Sequence, residues 1–355
     1  VAAGLLQPMA TLLVLRLFPL ERQGRAMGIL GFGIILAPAA APILGGFLVD
    51  HYGWRAIFLI TLPGCLAALA TGHFLLPLRA PSVTEHPFDW RGLGLLTLAI
   101  LSLLQSVGGL HTHGLLSWPT ALGLTLAVAS LWLFVRHVHR IPGPLMALDL
   151  FATRPFALGT VVSFIFGLGL YGSTYLIPVF LQSLLHYDAS TAGLALLPGG
   201  IALALMTPVA GFLADRMAAH RQTACGLVLF GASFVILALL AVTHLPWPLL
   251  PSLMAAVVLG RIGLALILPA LNLGALRPLG SRLVSQGSAL LNCARQVGGA
   301  LGISLGAVYV EWRSAALGPS GSHEAYGEVF VLVAATFALA LAAALAMGRR
   351  PAAHP

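Results

Sequence analysis

Long apolar stretches, each about the length of a membrane-crossing helix, alternate with short polar loops along the 355-residue chain. A helix needs roughly 20 apolar residues to cross the hydrocarbon layer of a bilayer. With 59% hydrophobic and 8% charged residues, the chain is predicted to be an all-α integral membrane protein, and a soluble globular domain is excluded. One partial span and ten complete ones are predicted, at about 1–18, 26–48, 55–77, 92–110, 119–136, 156–181, 190–213, 222–243, 249–275, 284–310 and 328–347.

Arginine is distributed unevenly between the loops that connect these stretches. All 18 basic residues are arginine; fourteen of them lie in one alternating set of loops, whereas the opposite set carries only Arg55 and Arg313. Because the cytoplasmic loops of membrane proteins carry an excess of positive charge, this bias predicts a cytoplasmic C-terminus. Charges spread so thinly over short loops do not predict a nucleic-acid partner.

The stretch from residue 28 to residue 55, GILGFGIILAPAAAPILGGFLVDHYGWR, is rich in small residues and contains two prolines. Each proline removes a backbone donor and bends a helix, and small residues let a second helix approach closely. The sequence therefore predicts a bent, closely packed membrane helix in a protein whose helices rock against one another. The positions concerned are Gly28, Ala37, Ala41, Pro42, Gly45 and Gly46.

These positions resemble the antiporter signature of the major facilitator superfamily, which runs G, eight residues, G, three residues, G-P, two residues, G-G. Ala37 and Ala41 stand where the signature has glycine. The DHYGWRAIFLITLP that follows resembles the next corner in the fourteen-helix drug/proton antiporter branch, and NCARQVGGALG resembles its penultimate helix. A plain packing helix rich in glycine and alanine is the alternative interpretation of residues 28–55.

The segment GFLADR at residues 211–216 is the second part of the sequence that resembles this family. It resembles the G-x-L-a-D-R signature of a cytoplasmic loop. The resemblance implies a cytoplasmic gate loop with Gly211, Asp215 and Arg216, in which Asp215 binds a neighbouring helix end or an arginine. An ordinary solvated loop charge is the alternative interpretation of Asp215.

The resemblance also implies a domain organisation, because family members have two six-helix bundles and the fourteen-helix branch has two extra helices between them. The predicted spans then give residues 1–77 as the remnant of an N-terminal bundle and 78–140 as a linker with two extra transmembrane helices. Residues 141–355 form a complete C-terminal six-helix bundle. On this interpretation the first three helices are missing, and the chain resembles an N-terminally truncated multidrug efflux protein.

Polar residues deep in the predicted spans are candidates for a substrate cavity. Arg261 and Arg295 each lie about 11 residues into a span, roughly 16 Å at 1.5 Å per residue and near the membrane midplane. A charge at that depth is costly and usually faces a cavity or a partner, although an arginine that ties helices together is the alternative. The candidates, which include a polar face of one span and a tyrosine face of another, are Asn292, Arg295, Gln296, Arg261, Tyr171 and Tyr175.

The tyrosine pair has an alternative role as an anchor at the membrane interface.

All ten acidic residues lie in loops or near the ends of predicted spans. The resemblance implies a secondary active transporter of the bacterial inner membrane that exports hydrophobic or cationic small molecules by proton antiport with alternating access. Its coupling carboxylate is expected either among helices that precede this chain or not at all. The alternative is a truncated, non-transporting remnant or a membrane scaffold that retains the fold.

Neither an enzyme, a cofactor nor a metal site is predicted, because the sequence contains no phosphate loop, nucleophile elbow or zinc spacing. The three cysteines lie within apolar segments and do not predict a disulfide framework. The predicted partners are the lipid bilayer, a small-molecule substrate and protons, and a periplasmic adaptor is left open.

Overall fold

A computed structural model describes residues 2–53, 55–75, 88–110, 117–141, 144, 146–187, 189–242, 249–318 and 321–348. Within those ranges the side chains at 2–8, 35–47, 49, 50, 57, 75, 189, 190, 281 and 282 are not described. Every element in this part of the chain is helical, and no strand occurs in it. The predicted all-α fold is therefore confirmed.

Eleven long helices follow one another along the described chain, one at each predicted span. Their bounds are α1 Ala2–Leu17, α2 Gln23–Tyr52, α3 Arg55–Leu75, α4 Trp90–Gly108, α5 Trp118–Val138, α6 Arg154–Val179, α7 Ala189–Arg216, α8 Ala219–Val242, α9 Leu249–Leu276, α10 Ser281–Leu317 and α11 Ser322–Met347. Seven of them, α4 to α9 and α11, are long and apolar enough within the described residues to cross a membrane.

The largest differences from the predicted bounds are at the junction of α10 and α11. The helix α10 has 37 residues and continues to Leu317, and α11 begins at Ser322. The apolar pattern ends earlier because EWRSAAL and SHEAYG are polar, but polar residues continue a helix readily where it leaves the bilayer. Gly318, with φ of +77°, ends α10 in a positive-φ conformation that glycine adopts without strain because it has no Cβ atom.

An ion pair holds these two helical extensions together. Arg313 donates from Nε and Nη2 to the two carboxylate oxygens of Glu328, at 2.7 and 2.8 Å, and Tyr309 donates its hydroxyl to the same carboxylate at 2.8 Å. The hydrogen bond to Glu328 raises the pKa of Arg313. This two-point contact fixes the end of α10 against the start of α11.

The main hydrophobic core of the chain lies among α6, α8, α9 and α11. Phenylalanine rings fill its centre: the centroids of Phe230 and Phe337 are 4.7 Å apart, and Phe234 stacks on Phe337 at 6.0 Å. The side chain of Gln222 is buried beside this core and donates to the carbonyl oxygens of Ala210 in α7 and Leu266 in α9. Three helices are thereby joined by one amide.

Helices α6 and α10 cross with almost no side chain between them. A Cβ atom added at Gly298 or Gly302 would overlap the backbone carbonyl of Phe164 or Leu168, and one added at Gly167 would overlap the backbone of Arg295. Small residues at a helix interface allow such close approach in membranes. Ser163 adds a buried hydrogen bond to the carbonyl oxygen of Leu291 at 2.9 Å.

The chain divides into two compact units, residues 1–32 with 89–355 and residues 33–88. The first unit contains α1, the start of α2 and all helices from α4 onward. In it, α4 and α5 form a hairpin whose ends are joined by Asp89 and His137, 2.8 Å apart. The second unit contains the rest of α2 and α3, where Thr61 and Thr71 return their hydroxyl groups to backbone carbonyls of their own helix.

Candidate functional site

Asp215, at the end of α7, binds the beginning of α2. Its Oδ1 accepts a hydrogen bond from the backbone N–H of Gly24 at 2.6 Å, and its Oδ2 accepts one from Arg25 at 2.9 Å. The first N–H groups of a helix have no partner within the helix and carry a partial positive charge. The carboxylate of α7 therefore caps a helix that lies about 190 residues earlier in the sequence.

Glycines allow α2 and α7 to meet at this place. A Cβ atom added at Gly28 would lie 2.9 Å from the Cα atom of Gly211, and one added at Gly31 would lie 2.8 Å from the side chain of Thr207. Gly28 and Gly211 come from two separate motifs of the sequence, the small-residue helix and the GFLADR segment. The structure brings the two motifs into contact through their glycines.

Two arginines flank the ring of Phe212 beside this contact. The guanidinium carbon of Arg216 lies 4.0 Å from the ring centroid, and that of Arg25 lies 4.9 Å from it. Cations are attracted to aromatic faces at these distances. Arg216 therefore packs on its own helix, and the group that binds Asp215 is a helix end, which is one of the two partners that the sequence predicts.

A second polar contact lies next to the first. Arg277, at the end of α9, donates from Nε to the Oε1 of Gln23 at 3.1 Å and from Nη2 to the carbonyl oxygen of Leu20 at 2.6 Å. Gln23 is buried and donates in turn to the carbonyl oxygens of Leu15 and Phe18. The turn between α1 and α2 is thus held by α9. Sequence reasoning treats Arg277 only as a loop charge, since nothing local links it to Gln23.

On one face of α10, the side chain of Asn292 contacts that of Arg295. Arg295 is 7% exposed, and its Nη2 donates to the Oδ1 of Asn292. Asn292 donates its own amide N–H to the carbonyl oxygen of Ser288 at 3.1 Å. The Nη1 of Arg295 is buried and has no hydrogen-bond partner in the part of the chain that the structure describes. Gln296 is exposed.

The other candidate cavity residues do not all lie at this face of α10. The ring of Tyr171 packs against Gly299, which follows Arg295 by one helical turn, so this tyrosine joins the polar face. Tyr175 lies one turn further along α6 and is 37% exposed. Arg261 lies against Gly199 of α7 instead. The six predicted residues therefore do not form one cluster.

An apolar cavity of about 350 Å³ begins two turns beyond Arg295 on α10. It lies between α6, α10 and α11, and sequence reasoning did not find it because its walls come from three helices. Its lining includes Leu168, Gly302, Leu305, Tyr309 and Trp312.

The other small residues of the predicted signature helix lie within α2, but their side chains are outside the described residues. These positions are Ala37, Ala41, Pro42, Gly45 and Gly46. Their role stays a prediction, whereas Gly28 is placed at a helix contact. Among the residues that the structure describes, no group of three His, Cys, Asp or Glu side chains could hold a metal ion.

Comparison with known families identifies the architecture. Residues 1–303 match the model of the Major Facilitator Superfamily. The chain belongs to the major facilitator superfamily. Members of this superfamily are membrane transporters, so a multi-pass position in the bilayer follows from the match together with the apolar helices.

Individual relatives within the superfamily are named for drug resistance. The chain is 31% identical over 317 residues to the multidrug resistance protein B homolog of Mycobacterium tuberculosis, covering 87% of the chain and 57% of that relative. It is 30% identical over 308 residues to the lincomycin resistance protein LmrB of Listeria innocua, covering 86% and 64%. It is 32% identical over 210 residues to the multidrug export protein EmrB of Haemophilus influenzae, covering 59% and 41%.

These relatives confirm the multidrug efflux branch that the sequence motifs resemble. The chain spans less than two thirds of the length of each of them.

Proposed function

We propose that this protein exports hydrophobic small molecules by alternating access, driven by proton antiport. The observation that supports the proposal best is the bond between Asp215 and the start of α2. We assign residues 1–77 to the N-terminal bundle, 78–140 to a linker and 141–355 to the C-terminal bundle. On this assignment the Asp215 bond crosses from one bundle to the other, at the end that the arginine bias predicts to be cytoplasmic.

Alternating access requires that such a contact can break and reform. Hydrogen bonds to a charged group contribute about 1.5–3 kcal/mol each to the stability of the closed form. When the contact opens, hydrogen bonds to water recover part of this free energy. The contact therefore biases the equilibrium between closed and open forms without fixing it, because the two forms of a transporter differ by only a few kcal/mol. Gly24, Gly28 and Gly211 allow the two helices to close fully each time.

The substrate class is narrower in this proposal than in the prediction from sequence, which includes cationic molecules. The sequence predicts Arg261 and Arg295 near the membrane midplane, and its ten acidic residues lie in loops or near the ends of the predicted spans. A cation site normally uses an intramembrane carboxylate. Drug resistance in the names of the relatives supports small-molecule cargo, and its hydrophobic character and the proton coupling are our proposal from the family resemblance.

Transport by the purified protein tests the proposal directly. We expect liposomes with an imposed pH gradient to move a neutral fluorescent dye in a gradient-dependent way. Asp215→Asn should lower the rate several-fold, because one charged partner of the helix end is lost. Asp149→Asn is the matched control, since Asp149 is exposed and lies in the short turn before α6.

Dye movement no faster than in protein-free liposomes would refute the proposal and favour the non-transporting alternative. Equal rates in Asp215→Asn and the unaltered protein would show that the contact has no part in transport.

Orientation has its own test, because the cytoplasmic C-terminus is also a proposal. We expect an impermeant thiol reagent to label Ser320→Cys but not Ala353→Cys in intact cells, with Cys65, Cys225 and Cys293 replaced by serine. The positive charges near the C-terminus keep it inside. Labelling in the reverse pattern would overturn the orientation.

A further inference from the structure

We infer that Arg295, oriented by Asn292, binds the carboxylate of an acidic substrate with an apolar body. This inference rests on the proposed export function and names the class of molecule that the membrane-buried face of α10 would accept. The same chemistry exists in an aspartate or glutamate side chain, which is the other source of a carboxylate for Arg295. The experiment below separates the two sources.

Arg295 is a buried cation with unused hydrogen-bonding capacity. Its side chain is 7% exposed, and its Nη1 is buried without a partner among the described residues. Burying a guanidinium group without an opposite charge is costly, and such residues in membrane spans usually mark a ligand pathway or an ionic partner. The ion pair between Arg313 and Glu328 lies further along α10 and leaves Arg295 unneutralised.

Asn292 fixes the guanidinium group and leaves its buried Nη1 without a hydrogen-bond partner among the described residues. Its Oδ1 accepts from Nη2 of Arg295, and its amide N–H donates to the carbonyl oxygen of Ser288. The asparagine is thereby held from one side and holds the arginine on the other. A planar guanidinium group with Nη1 unused matches one oxygen of a carboxylate in a charge-assisted hydrogen bond. Asn292 is therefore a positioning residue.

The surroundings of Arg295 suit an apolar or aromatic body attached to that carboxylate. The ring of Tyr171 packs on Gly299, one turn from Arg295. The apolar cavity begins at Gly302, seven residues from Arg295 and on the same face of α10, because positions i and i+7 align on a helix. Seven residues correspond to about 10 Å, the length of a two-ring aromatic acid.

Opposite charge decides between an acidic and a cationic ligand. A cation near Arg295 would meet an unneutralised positive charge in a medium of low dielectric constant, where repulsion is poorly screened. A neutral amide of the same shape would be buried beside Arg295 without any ionic attraction to it. The difference in affinity between an acid and its amide therefore isolates the role of the charge.

The experiment measures binding of 2-naphthoate and of 2-naphthamide to the protein in lipid nanodiscs by calorimetry, with empty nanodiscs as the background. We expect saturable binding of naphthoate and at least tenfold weaker binding of naphthamide. Arg295→Gln should weaken naphthoate binding at least tenfold and leave naphthamide binding unchanged. Asn292→Ala should weaken it several-fold, whereas Arg140→Gln, which removes an exposed arginine after α5, should leave it unchanged.

Folding of each variant is checked by its thermal unfolding midpoint without ligand. If Arg295→Gln does not fold, Arg295→Lys carries the test: it keeps the charge but loses the planar fork, so naphthoate binding should weaken about threefold or more. Equal affinities for acid and amide, or an Arg295 variant that binds naphthoate like the unaltered protein, would overturn the inference.

Lack of saturable binding, together with a lower unfolding midpoint in Arg295→Gln, would also overturn it and point to a carboxylate side chain as the partner of Arg295. The outcome is distinct from that of the transport experiment. Naphthoate binding without gradient-driven dye movement would support the site and refute export, and dye movement without naphthoate binding would do the opposite.

Discussion

Two helix contacts in this protein are built from glycines, and they differ in what surrounds those glycines. At the crossing of α6 and α10, Gly298 and Gly302 lie against backbone carbonyls within the span that the sequence predicts at 284–310. At the contact of α2 and α7, Gly28 and Gly211 lie beside a carboxylate that binds a helix end.

The comparison indicates which contact can open. Separating α6 from α10 would bring Ser163 and Arg295 towards lipid, which cannot hydrogen-bond with them. Separating α2 from α7 would release Asp215 and two backbone N–H groups at a helix end, where water can hydrate them. Close packing by glycine is common to both contacts, so the neighbouring polar groups, and the solvent that can reach them, decide whether a contact is fixed or separable.

The largest effect is expected from side chains placed in the fixed contact. Gly298→Leu and Gly302→Leu would force the two backbones apart, and overpacking typically costs about 1–3 kcal/mol even where side chains rather than backbones must shift. We expect both variants to lose the folded state in detergent, as measured by thermal unfolding. Gly200→Leu is the control, because a Cβ atom there meets nothing within 4 Å. A stable Gly302→Leu protein would mean that α6 and α10 do not cross so closely.

A smaller effect is expected from the same change in the separable contact. Gly28→Leu and Gly211→Leu should keep the fold but prevent closure of α2 on α7. Labelling of Ala214→Cys, a position that is 5% exposed, should become about tenfold faster in inside-out vesicles as the contact opens. Global unfolding of these variants, instead of faster labelling, would remove the distinction between the two contacts.

The charge of Asp215 should contribute less than the glycines. Asp215→Asn retains an acceptor for one N–H group but loses the attraction to the helix end, which is worth about 1 kcal/mol. We expect Ala214→Cys labelling to become about fivefold faster in this variant. Asp149→Asn serves as the control for loss of an exposed carboxylate, and an unchanged rate in Asp215→Asn would assign closure to the glycines alone.

The smallest effect is expected at Arg277. Arg277→Gln removes two hydrogen bonds from a charged donor to neutral acceptors, and one of them is exposed, so water replaces much of its contribution when it breaks. We expect labelling of Ala214→Cys to become about twofold faster. If this variant labels as fast as Asp215→Asn, the contact of α9 with the α1–α2 turn is as important as the Asp215 bond.

The helices and their order could be predicted from the sequence because membrane spans are set by local apolar length, which is visible residue by residue. The shared face of Asn292 and Arg295 could also be predicted, since helical periodicity alone brings them together. The ends of α10 and α11 could not, because the polar residues there are held by the Arg313–Glu328 pair rather than by lipid.

Contacts between distant segments could not be predicted from the sequence. The GFLADR segment predicts that Asp215 binds a helix end or an arginine, but not that the helix is α2. The bond between Arg277 and Gln23 joins residues 254 positions apart and has no local pattern. Whether Arg261 and Arg295 meet depends on how helices cross, and the structure places Arg261 against α7.

The helix α10 is much longer than the hydrocarbon layer of a bilayer is thick. Its 37 residues extend about 55 Å, whereas the hydrocarbon layer is about 30 Å thick. Its end at Leu317 lies about 22 Å beyond the close contact at Gly302, so a tilt of roughly 10° about that contact would move the end by about 4 Å. The Arg313–Glu328 pair would carry α11 along with it. A slight rotation within the bilayer would thus become a displacement of both helices at the surface.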